Sequence, residues 1–342
     1  MKKILCILHM MFAFVCCTYA ADEQKVLIIG NSYTFYNDLP KVLQALSSKT
    51  KCPLKVESYT AGAMSLRGFL DDPQHAKARQ LVESGNYDWL ILQDQSQTPA
   101  YKPEETMDSV KRWTAIAKKH DTKVMLFLTW AHASADGGKP TPLVAMQEST
   151  STTYCKAAVE NKVKVAPVGE AWARWYKKNP GKPLHLQDLS HPNPSGTYLA
   201  ACVIHASISG KPVKAAGSLK LDKQTILRVP KGTAKELQAT ANATVKGFSP
   251  KKYLEEQAAR DAAMPSAAEV KAALHKGMSI DELSKITGKH ILKSTNDGRS
   301  TYQYLIRGGG ELTAYCNSND IVENISIIVP GKPAEIIDVT KL

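Results

Sequence analysis

The chain has 342 residues, and its 44 lysine and arginine residues outnumber its 32 aspartate and glutamate residues, which gives a formal net charge of +12. The positive charge is scattered, lysine greatly outnumbers arginine, and no arginine-rich stripe carries interleaved aromatic residues. These features argue against a nucleic-acid-binding protein and fit better with acidic glycans or an anionic envelope as surroundings. The length suffices for one large domain and one small one.

Residues 1–20 have the pattern of a Sec-type secretory signal peptide. Two lysines precede an apolar run that is too short to span a membrane comfortably, and Thr18-Tyr19-Ala20 offers a cleavage site. We therefore expect an exported protein, periplasmic or extracellular, with no transmembrane segment in the mature chain. Lipid anchoring at Cys16 or Cys17 is the alternative, although the residues before this pair make a poor lipobox.

The run Lys25–Ile29 predicts a buried strand, and the turn Gly30-Asn31-Ser32-Tyr33-Thr34 follows it. A helix is predicted next, with Asp38 as its N-cap and Pro40 in its first turn. A serine between a strand end and a helix start lies where open α/β sheets bind their ligands. Ser32 is therefore a candidate functional residue, and a turn serine that caps the helix is the competing interpretation.

Further strands are predicted after the first, and helical patterns separate them. The strand-like runs lie at 54–59, 87–92, 123–129 and 163–168. The helical patterns lie at 65–84, 104–119, 143–160, 171–177 and 195–208. This alternation predicts an α/β domain whose five-stranded parallel sheet has right-handed crossovers and is covered by helices on both faces.

Polar groups follow the predicted strands at the edge of the sheet where parallel strands end. Gly62 comes after the second strand, and Gln93-Asp94-Gln95-Ser96 ends the third. Acyl transfer needs hydrogen-bond donors that point at the developing oxyanion. The backbone N–H groups of Ser32 and Gly62 and the side-chain amide of Gln95 could supply three such donors.

The motif Asp188-x-x-His191 lies beyond the fifth predicted strand. A histidine that activates a serine needs its far ring nitrogen held by a carboxylate, which fixes the tautomer and stabilises the imidazolium. One short loop that carries both residues can meet this need. Because the loops after parallel strands meet at one edge of the sheet, we expect Ser32, His191 and Asp188 to converge there as a catalytic triad.

Other polar and aromatic residues near these loops have less specific roles. Asn31, Trp130 and His132 are candidates for lining the substrate cleft. His185 and His191 are two potential metal ligands, but no third ligand stands at a suitable spacing, and we expect no metal site. No phosphate-binding loop or dinucleotide fingerprint is present, so we expect no cofactor.

The end of the chain has the pattern of a separate unit. Residues 249–265 are polar and charged and are predicted to be a linker, partly helical, before a small domain at 266–342. Capping boxes at Ser266–Glu269 and Ser279–Glu282 predict two short helices. Three strand-like runs follow, at 301–307, 311–317 and 322–329. The pattern predicts a small α+β domain of the type ααβββ.

Residues 21–248 resemble an SGNH (GDSL-type) hydrolase. The run Gly30 to Thr34 matches the first family block, Gly62 matches the second, and Asp188-x-x-His191 matches the last. The resemblance implies a flavodoxin-like three-layer α/β/α sandwich. It also implies Ser32 as nucleophile, His191 as general base and then acid, and Asp188 as its orienting carboxylate, with backbone donors at Ser32 and Gly62 in the oxyanion hole.

The third family block departs from the usual Gly-x-Asn-Asp, because this chain has Gln93-Asp94-Gln95-Ser96. Gln95 stands at the position of the family's asparagine and carries the same side-chain N–H donors. Gln93 is the competing candidate for the oxyanion donor. The C-terminal unit is similar to the BamE/SmpA-like domain of bacterial envelope proteins in the helix start at 276–283, which implies an interaction or packing role.

These observations predict an exported serine esterase that removes acyl groups, with acetyl as the expected group, from a glycan or another small ester. The preference for a glycan follows from the family resemblance and from export, since no residue specifies it. The alternative is a catalytically silent glycan- or envelope-binding protein on the same fold, with the C-terminal domain as a docking module for an envelope partner.

Overall fold

The computed structural model describes residues 23–136, 139–288, 290, 292–308, 310–329 and 332–342. The predicted signal peptide and the cysteine pair within it lie outside the described residues. In the part of the chain that the structure describes, no helix combines the length and the apolar composition needed to cross a membrane.

The elements up to residue 263 form one α/β unit. Its strands are β1 (Gln24–Gly30), β2 (Leu54–Thr60), β3 (Trp89–Leu92), β4 (Lys123–Phe127), β5 (Ala133–Asp136), β6 (Lys139–Pro142), β7 (Lys164–Ala166), β8 (Ser218–Lys220) and β9 (Ile226–Arg228). Its α-helices are α1 (Ser32–Phe35), α2 (Leu39–Ser47), α3 (Leu66–Asp71), α4 (Ala76–Glu83), α5 (Thr98–Tyr101), α6 (Pro103–Lys118), α7 (Val144–Asn161), α8 (Val168–Lys178), α9 (Pro194–Ser209), α10 (Lys231–Gly247) and α11 (Pro250–Ala263).

The predicted five-stranded parallel sheet is confirmed. Its strand order is β2-β1-β3-β4-β7, and every neighbouring pair is parallel. Val26 and Ile28 of β1 face a core shared with α2, α8, α9 and α10, whereas Leu27 and Ile29 face a core shared with α3, α4, α6 and α7. Both faces are covered, which is why β1 reads as a continuous apolar run instead of an alternating one.

Three further segments of this unit lie outside the parallel sheet and the helices predicted with it. Strands β5 and β6 pair antiparallel to each other, and β8 and β9 form an antiparallel hairpin. The predicted linker contains α11, which begins at Pro250 with Ser249 as N-cap. Apolar side chains of α11, Tyr253 and Leu254, pack against the core beneath α6 and α7.

The C-terminal residues form a second unit with its own sheet and core. Both predicted capping boxes are present, at the starts of α12 (Ala267–Ala273) and α13 (Ile280–Thr287). The antiparallel sheet has five strands in sequential order: β10 (Leu292–Asn296), β11 (Arg299–Ile306), β12 (Gly310–Cys316), β13 (Val322–Ile328) and β14 (Glu335–Asp338). The prediction contained only the three central strands, because the edge strands β10 and β14 are short and lack a clear apolar alternation.

Candidate active site

Ser32 stands at the first position of α1, two residues after the end of β1. The turn before it is tight, because a Cβ added to Gly30 would lie 2.5 Å from Gln93 Oε1. Asn31 caps α1, since its Oδ1 accepts a hydrogen bond from Tyr33 N–H at 3.2 Å. The interpretation of Ser32 as the cap of the following helix is therefore wrong, and its hydroxyl is available for another partner.

Ser32, His191 and Asp188 form a hydrogen-bonded chain. Ser32 Oγ lies 2.9 Å from His191 Nε2, and His191 Nδ1 lies 2.7 Å from Asp188 Oδ2. Asp188 Oδ1 accepts from the backbone N–H groups of Ser190 at 3.0 Å and His191 at 2.9 Å. A hydroxyl at an imidazole whose far nitrogen is held by a carboxylate is the arrangement that activates a serine for attack on a carbonyl carbon.

The Asp188 carboxyl has a pKa below its ordinary value. Burial acts to raise this pKa, but the N–H groups of Ser190 and His191 and the imidazole of His191 stabilise the carboxylate more strongly. Asp188 is therefore ionised at neutral pH. An ionised partner at Nδ1 favours the tautomer that carries hydrogen there, which leaves Nε2 free to accept the Ser32 proton.

Aromatic side chains fix the plane of the His191 ring. Tyr36 stacks on it with ring centroids 4.1 Å apart and an interplanar angle of 12°, and Tyr33 meets it edge-on at 5.8 Å. The Tyr33 hydroxyl lies 2.9 Å from Ser190 Oγ. Burial raises the pKa of Tyr33 to about 12, so this hydroxyl is neutral and can act as a donor.

Asn37 ties the loop that carries Ser32 to the loop that carries His191. Its Nδ2 donates to Pro192 O and to Thr197 Oγ1, both at 2.9 Å. The residue has a left-handed backbone conformation with a φ of 52°, which asparagine adopts more readily than most residues. Sequence reasoning missed Asn37, because a positive φ leaves no signal beyond the residue type itself.

The side-chain amide of Gln93 has a structural role in the loop that carries Asn31. It is fully buried, its Oε1 accepts from Asn31 N–H at 2.8 Å and from Thr34 Oγ1 at 2.9 Å, and its Nε2 donates to Asn31 Oδ1 at 2.9 Å and to Asp94 O. Asn31 in turn donates from Nδ2 to Met64 O at 3.0 Å. Both N–H groups of the Gln93 amide are therefore used inside the protein, which leaves none for an oxyanion.

Gln95 has a different environment. It is half-buried, and its Oε1 accepts from the backbone N–H groups of Gln97 at 2.7 Å and Thr98 at 3.1 Å, which fixes the amide plane at the start of α5. Its Nε2 lies 3.2 Å from Ser96 Oγ. An amide nitrogen has two hydrogens, so Gln95 keeps one donor beyond this contact.

The two predicted backbone donors lie in the loops after β1 and β2. Among the described residues, neither Ser32 N–H nor Gly62 N–H has a hydrogen-bond partner. Gly62 is exposed, and a Cβ added to it would meet no atom within 4 Å. Both groups are thus available to a ligand.

Two residues predicted to line the cleft do not do so. Asn31 is buried and fully hydrogen-bonded, as described above, and Trp130 is 1% exposed between the rings of Tyr33 and Trp172. These predictions are wrong because a side chain after a strand end can point into the core as readily as into the cleft. His132 is half-buried, and its Nε2 lies 3.2 Å from Ser190 Oγ, in the loop that carries Asp188 and His191.

His185 belongs to the core. Its Nδ1 accepts from the Tyr176 hydroxyl at 2.7 Å, and its Nε2 donates to Ala131 O at 3.0 Å. Burial lowers the pKa of His185 to about 4, so the ring is neutral at physiological pH. Within the described ranges, no group of three or more His, Cys, Asp or Glu residues could hold a metal ion.

No protein-family model matches the chain, and neither does any curated protein sequence. Solved structures do match it. A DUF4886 family protein from Bacteroides uniformis is 18% identical, and the match covers 66% of this chain and 96% of that one with a TM-score of 0.51. A protein from Slackia heliotrinireducens that is described as an SGNH hydrolase is 22% identical over 55% of this chain and 100% of that one, with a TM-score of 0.47.

A third match is a mutant of an acetyl-xylooligosaccharide esterase from Geobacillus, which is 15% identical over 57% of this chain and 99% of that one with a TM-score of 0.42. Likeness at such identities concerns the fold and leaves activity open. The β2-β1-β3-β4-β7 parallel sheet and the match to the DUF4886 family protein show that the chain has a flavodoxin-like α/β fold.

Proposed function

We propose that this protein is a serine esterase that uses Ser32, His191 and Asp188 as its catalytic triad. The observation that carries the proposal is the hydrogen-bonded chain from Ser32 Oγ to His191 Nε2 at 2.9 Å and from His191 Nδ1 to Asp188 Oδ2 at 2.7 Å. Three residues from two distant parts of the sequence meet with the spacing and order that nucleophilic catalysis requires.

In the acylation step, His191 Nε2 takes the proton of Ser32 Oγ while this oxygen attacks the ester carbonyl carbon. Asp188 stabilises the imidazolium that forms. The tetrahedral intermediate collapses to an acyl-enzyme as His191 returns its proton to the departing alcohol oxygen. Water then attacks the acyl carbonyl with His191 as base again, which releases the acid and restores Ser32.

The oxyanion of each tetrahedral intermediate needs donors on the side away from His191. We assign this role to the backbone N–H groups of Ser32 and Gly62 and to Gln95 Nε2. The two backbone groups have no described protein partner, and the Gln95 amide keeps one N–H after its contact with Ser96. Gln93 is not part of this assignment, since its amide is used up within the scaffold.

We further propose that the acyl group is acetyl, that the alcohol is part of a glycan, and that the protein is exported. The support comes from the SGNH resemblance of the motifs and from the signal-peptide pattern of residues 1–20. Acetate release from an acetylated polysaccharide should exceed butyrate release from its butyrylated counterpart. Expression of the full chain in a bacterial host should yield an exported product whose N-terminus follows Ala20.

The decisive experiment measures p-nitrophenyl acetate hydrolysis and fluorophosphonate labelling of the wild type and of Ser32→Ala. We expect turnover and labelling in the wild type and neither in the variant, with the same thermal unfolding midpoint in both. Turnover that survives in Ser32→Ala would show that another group is the nucleophile. A folded wild type that neither hydrolyses p-nitrophenyl acetate nor reacts with the fluorophosphonate would instead favour the catalytically silent binding protein.

A further inference from the structure

A second histidine lies between the loops that form the proposed site. His132 follows β4, and its Nε2 is 3.2 Å from Ser96 Oγ and 3.2 Å from Ser190 Oγ. Ser96 is in turn the partner of Gln95 Nε2 at 3.2 Å, in the loop after β3. Ser190 belongs to the Asp188–His191 loop. One imidazole nitrogen thus contacts both the loop of the oxyanion donor and the loop of the acid–base pair.

The backbone around His132 is held firmly. Its carbonyl accepts from Leu143 N–H at 2.9 Å, and the preceding N–H, that of Ala131, donates to Gln147 Oε1 at 2.8 Å. The carbonyl of Ala131 accepts from His185 Nε2 at 3.0 Å. The ring therefore projects from a backbone segment that is hydrogen-bonded to Leu143, Gln147 and His185, outside the loops of the two serines, and it can act as a reference for both.

We propose that His132 is a positioning residue that holds the Gln95 amide and the Asp188–His191 loop in register with each other. The inference rests on the proposed esterase function. An acyl-transfer site needs its oxyanion donor and its base on opposite sides of one carbonyl group, and a misplacement of about 1 Å can cost about a hundredfold in rate. Here the donor and the base come from different loops, and His132 Nε2 lies 3.2 Å from a serine hydroxyl oxygen of each.

The charge state of His132 suits this role. Burial lowers its pKa, and the neighbouring His191 lowers it further. A neutral ring hydrogen-bonds to hydroxyl groups without placing a second positive charge beside the imidazolium that His191 forms during the reaction.

Two conservative variants separate positioning from space filling. In His132→Gln the side-chain amide nitrogen can take the place of Nε2, whereas in His132→Asn it takes the place of Nδ1, for which the described residues show no partner. For p-nitrophenyl acetate we expect His132→Asn to lower kcat about tenfold with KM within about twofold, and His132→Gln to retain at least half of kcat. His120→Asn, in the turn before β4, is the control and should match the wild type.

A double variant tests whether the link through Ser96 is the relevant one. If His132 acts through Ser96, then Ser96→Ala combined with His132→Asn should lower kcat by less than the product of the single effects. Wild-type kcat in His132→Asn, equal losses in the Gln and Asn variants, or fully multiplicative losses would each overturn the inference. An inactive, unlabelled wild type would instead overturn the esterase proposal, and this inference with it.

Discussion

Gln93 and Gln95 show how two identical residues, two positions apart, acquire different roles. Side chains at such a spacing point to the same side of an extended chain, so the sequence cannot decide which amide faces the substrate. The structure separates them, because Gln93 is fully buried against Asn31 whereas Gln95 is half-buried at the start of α5. The difference depends on where Asn31 lies, which is a tertiary property.

Replacement of Gln95 by alanine should affect catalysis more than folding. Loss of an oxyanion donor costs about a hundred- to a thousandfold in kcat, and we expect this loss for Gln95→Ala in p-nitrophenyl acetate hydrolysis. The free energy of unfolding should fall by only about 1 kcal/mol, since Gln95 Oε1 also accepts from the N–H groups of Gln97 and Thr98 at the start of α5. Unchanged kcat in a folded Gln95→Ala protein would remove Gln95 from the oxyanion hole.

Gln93→Ala is the matched comparison. In denaturant unfolding it should destabilise the protein more than Gln95→Ala does. The substitution leaves the buried N–H of Asn31 and the buried hydroxyl of Thr34 without their acceptor. Unsatisfied buried groups cost about 1–3 kcal/mol each, so we expect the free energy of unfolding to drop by about 3 kcal/mol. A Gln93→Ala protein as stable as the wild type would contradict the scaffold role.

His185 should make the stability of the fold depend on pH. Its folded-state pKa of about 4 lies below the unfolded value of about 6.5. As the pH falls below 6.5, the unfolded chain binds a proton that the folded protein excludes, so the free energy of unfolding decreases and loses about 3 kcal/mol by pH 4. Above pH 6.5 both states are neutral at this site, and the contribution is fully present.

The measurement is the free energy of unfolding between pH 7 and pH 4 for the wild type and for His185→Gln, whose amide can still donate to Ala131 O. Acidic residues and the other histidines titrate in both proteins, so the difference between the two curves isolates His185. We expect the wild-type curve to fall more steeply. Parallel curves would show that His185 is protonated in the folded state.

At the scale of the elements, the sequence predicts best those segments whose burial has a simple period. The parallel strands and the helices α6, α7 and α9 lie within a few residues of their predicted bounds, since long apolar runs and helical stripes depend on local spacing. The capping boxes at Ser266 and Ser279 are equally local, and both form. The edge strands β10 and β14 and the pair β5–β6 depend on backbone pairing with neighbours, which side-chain hydrophobicity does not report.

The helix α11 lies in the segment predicted to be a partly helical linker, and its packing allows a test. Its sequence is mostly polar, yet Tyr253 packs against the core beneath α6 and α7. We expect Tyr253→Ala to lower the free energy of unfolding by about 2 kcal/mol, because a large side chain that is partly buried loses its packing. Tyr101→Ala is the control, since Tyr101 is 65% exposed and its loss should stay within about 0.5 kcal/mol. A Tyr253→Ala effect as small as that would indicate that α11 is a linker without a structural role.

At the scale of the whole molecule, the residues of the proposed active site and the C-terminal unit are separate. Ser32, Asp188 and His191 all lie in the α/β unit, and the buried core of the C-terminal sheet, which includes Leu283 and Tyr304, is distinct from the two cores that flank the parallel sheet. Contacts such as the one from Gly308 N–H to Asp261 Oδ1 at 2.7 Å join the C-terminal sheet to α11 and not to the triad.

Removal of residues 266–342 should therefore leave hydrolysis intact. All five tryptophans lie before residue 176, so intrinsic tryptophan fluorescence reports the unfolding of the α/β unit alone. For the shortened chain we expect kcat/KM for p-nitrophenyl acetate within about twofold of the full chain, and a fluorescence-detected free energy of unfolding within about 0.5 kcal/mol. If turnover fell while the fluorescence transition stayed in place, the C-terminal unit would have to contribute to the site directly. If the transition itself shifted by several kcal/mol, the two units would unfold as one, and the three cores would form a single cooperative structure.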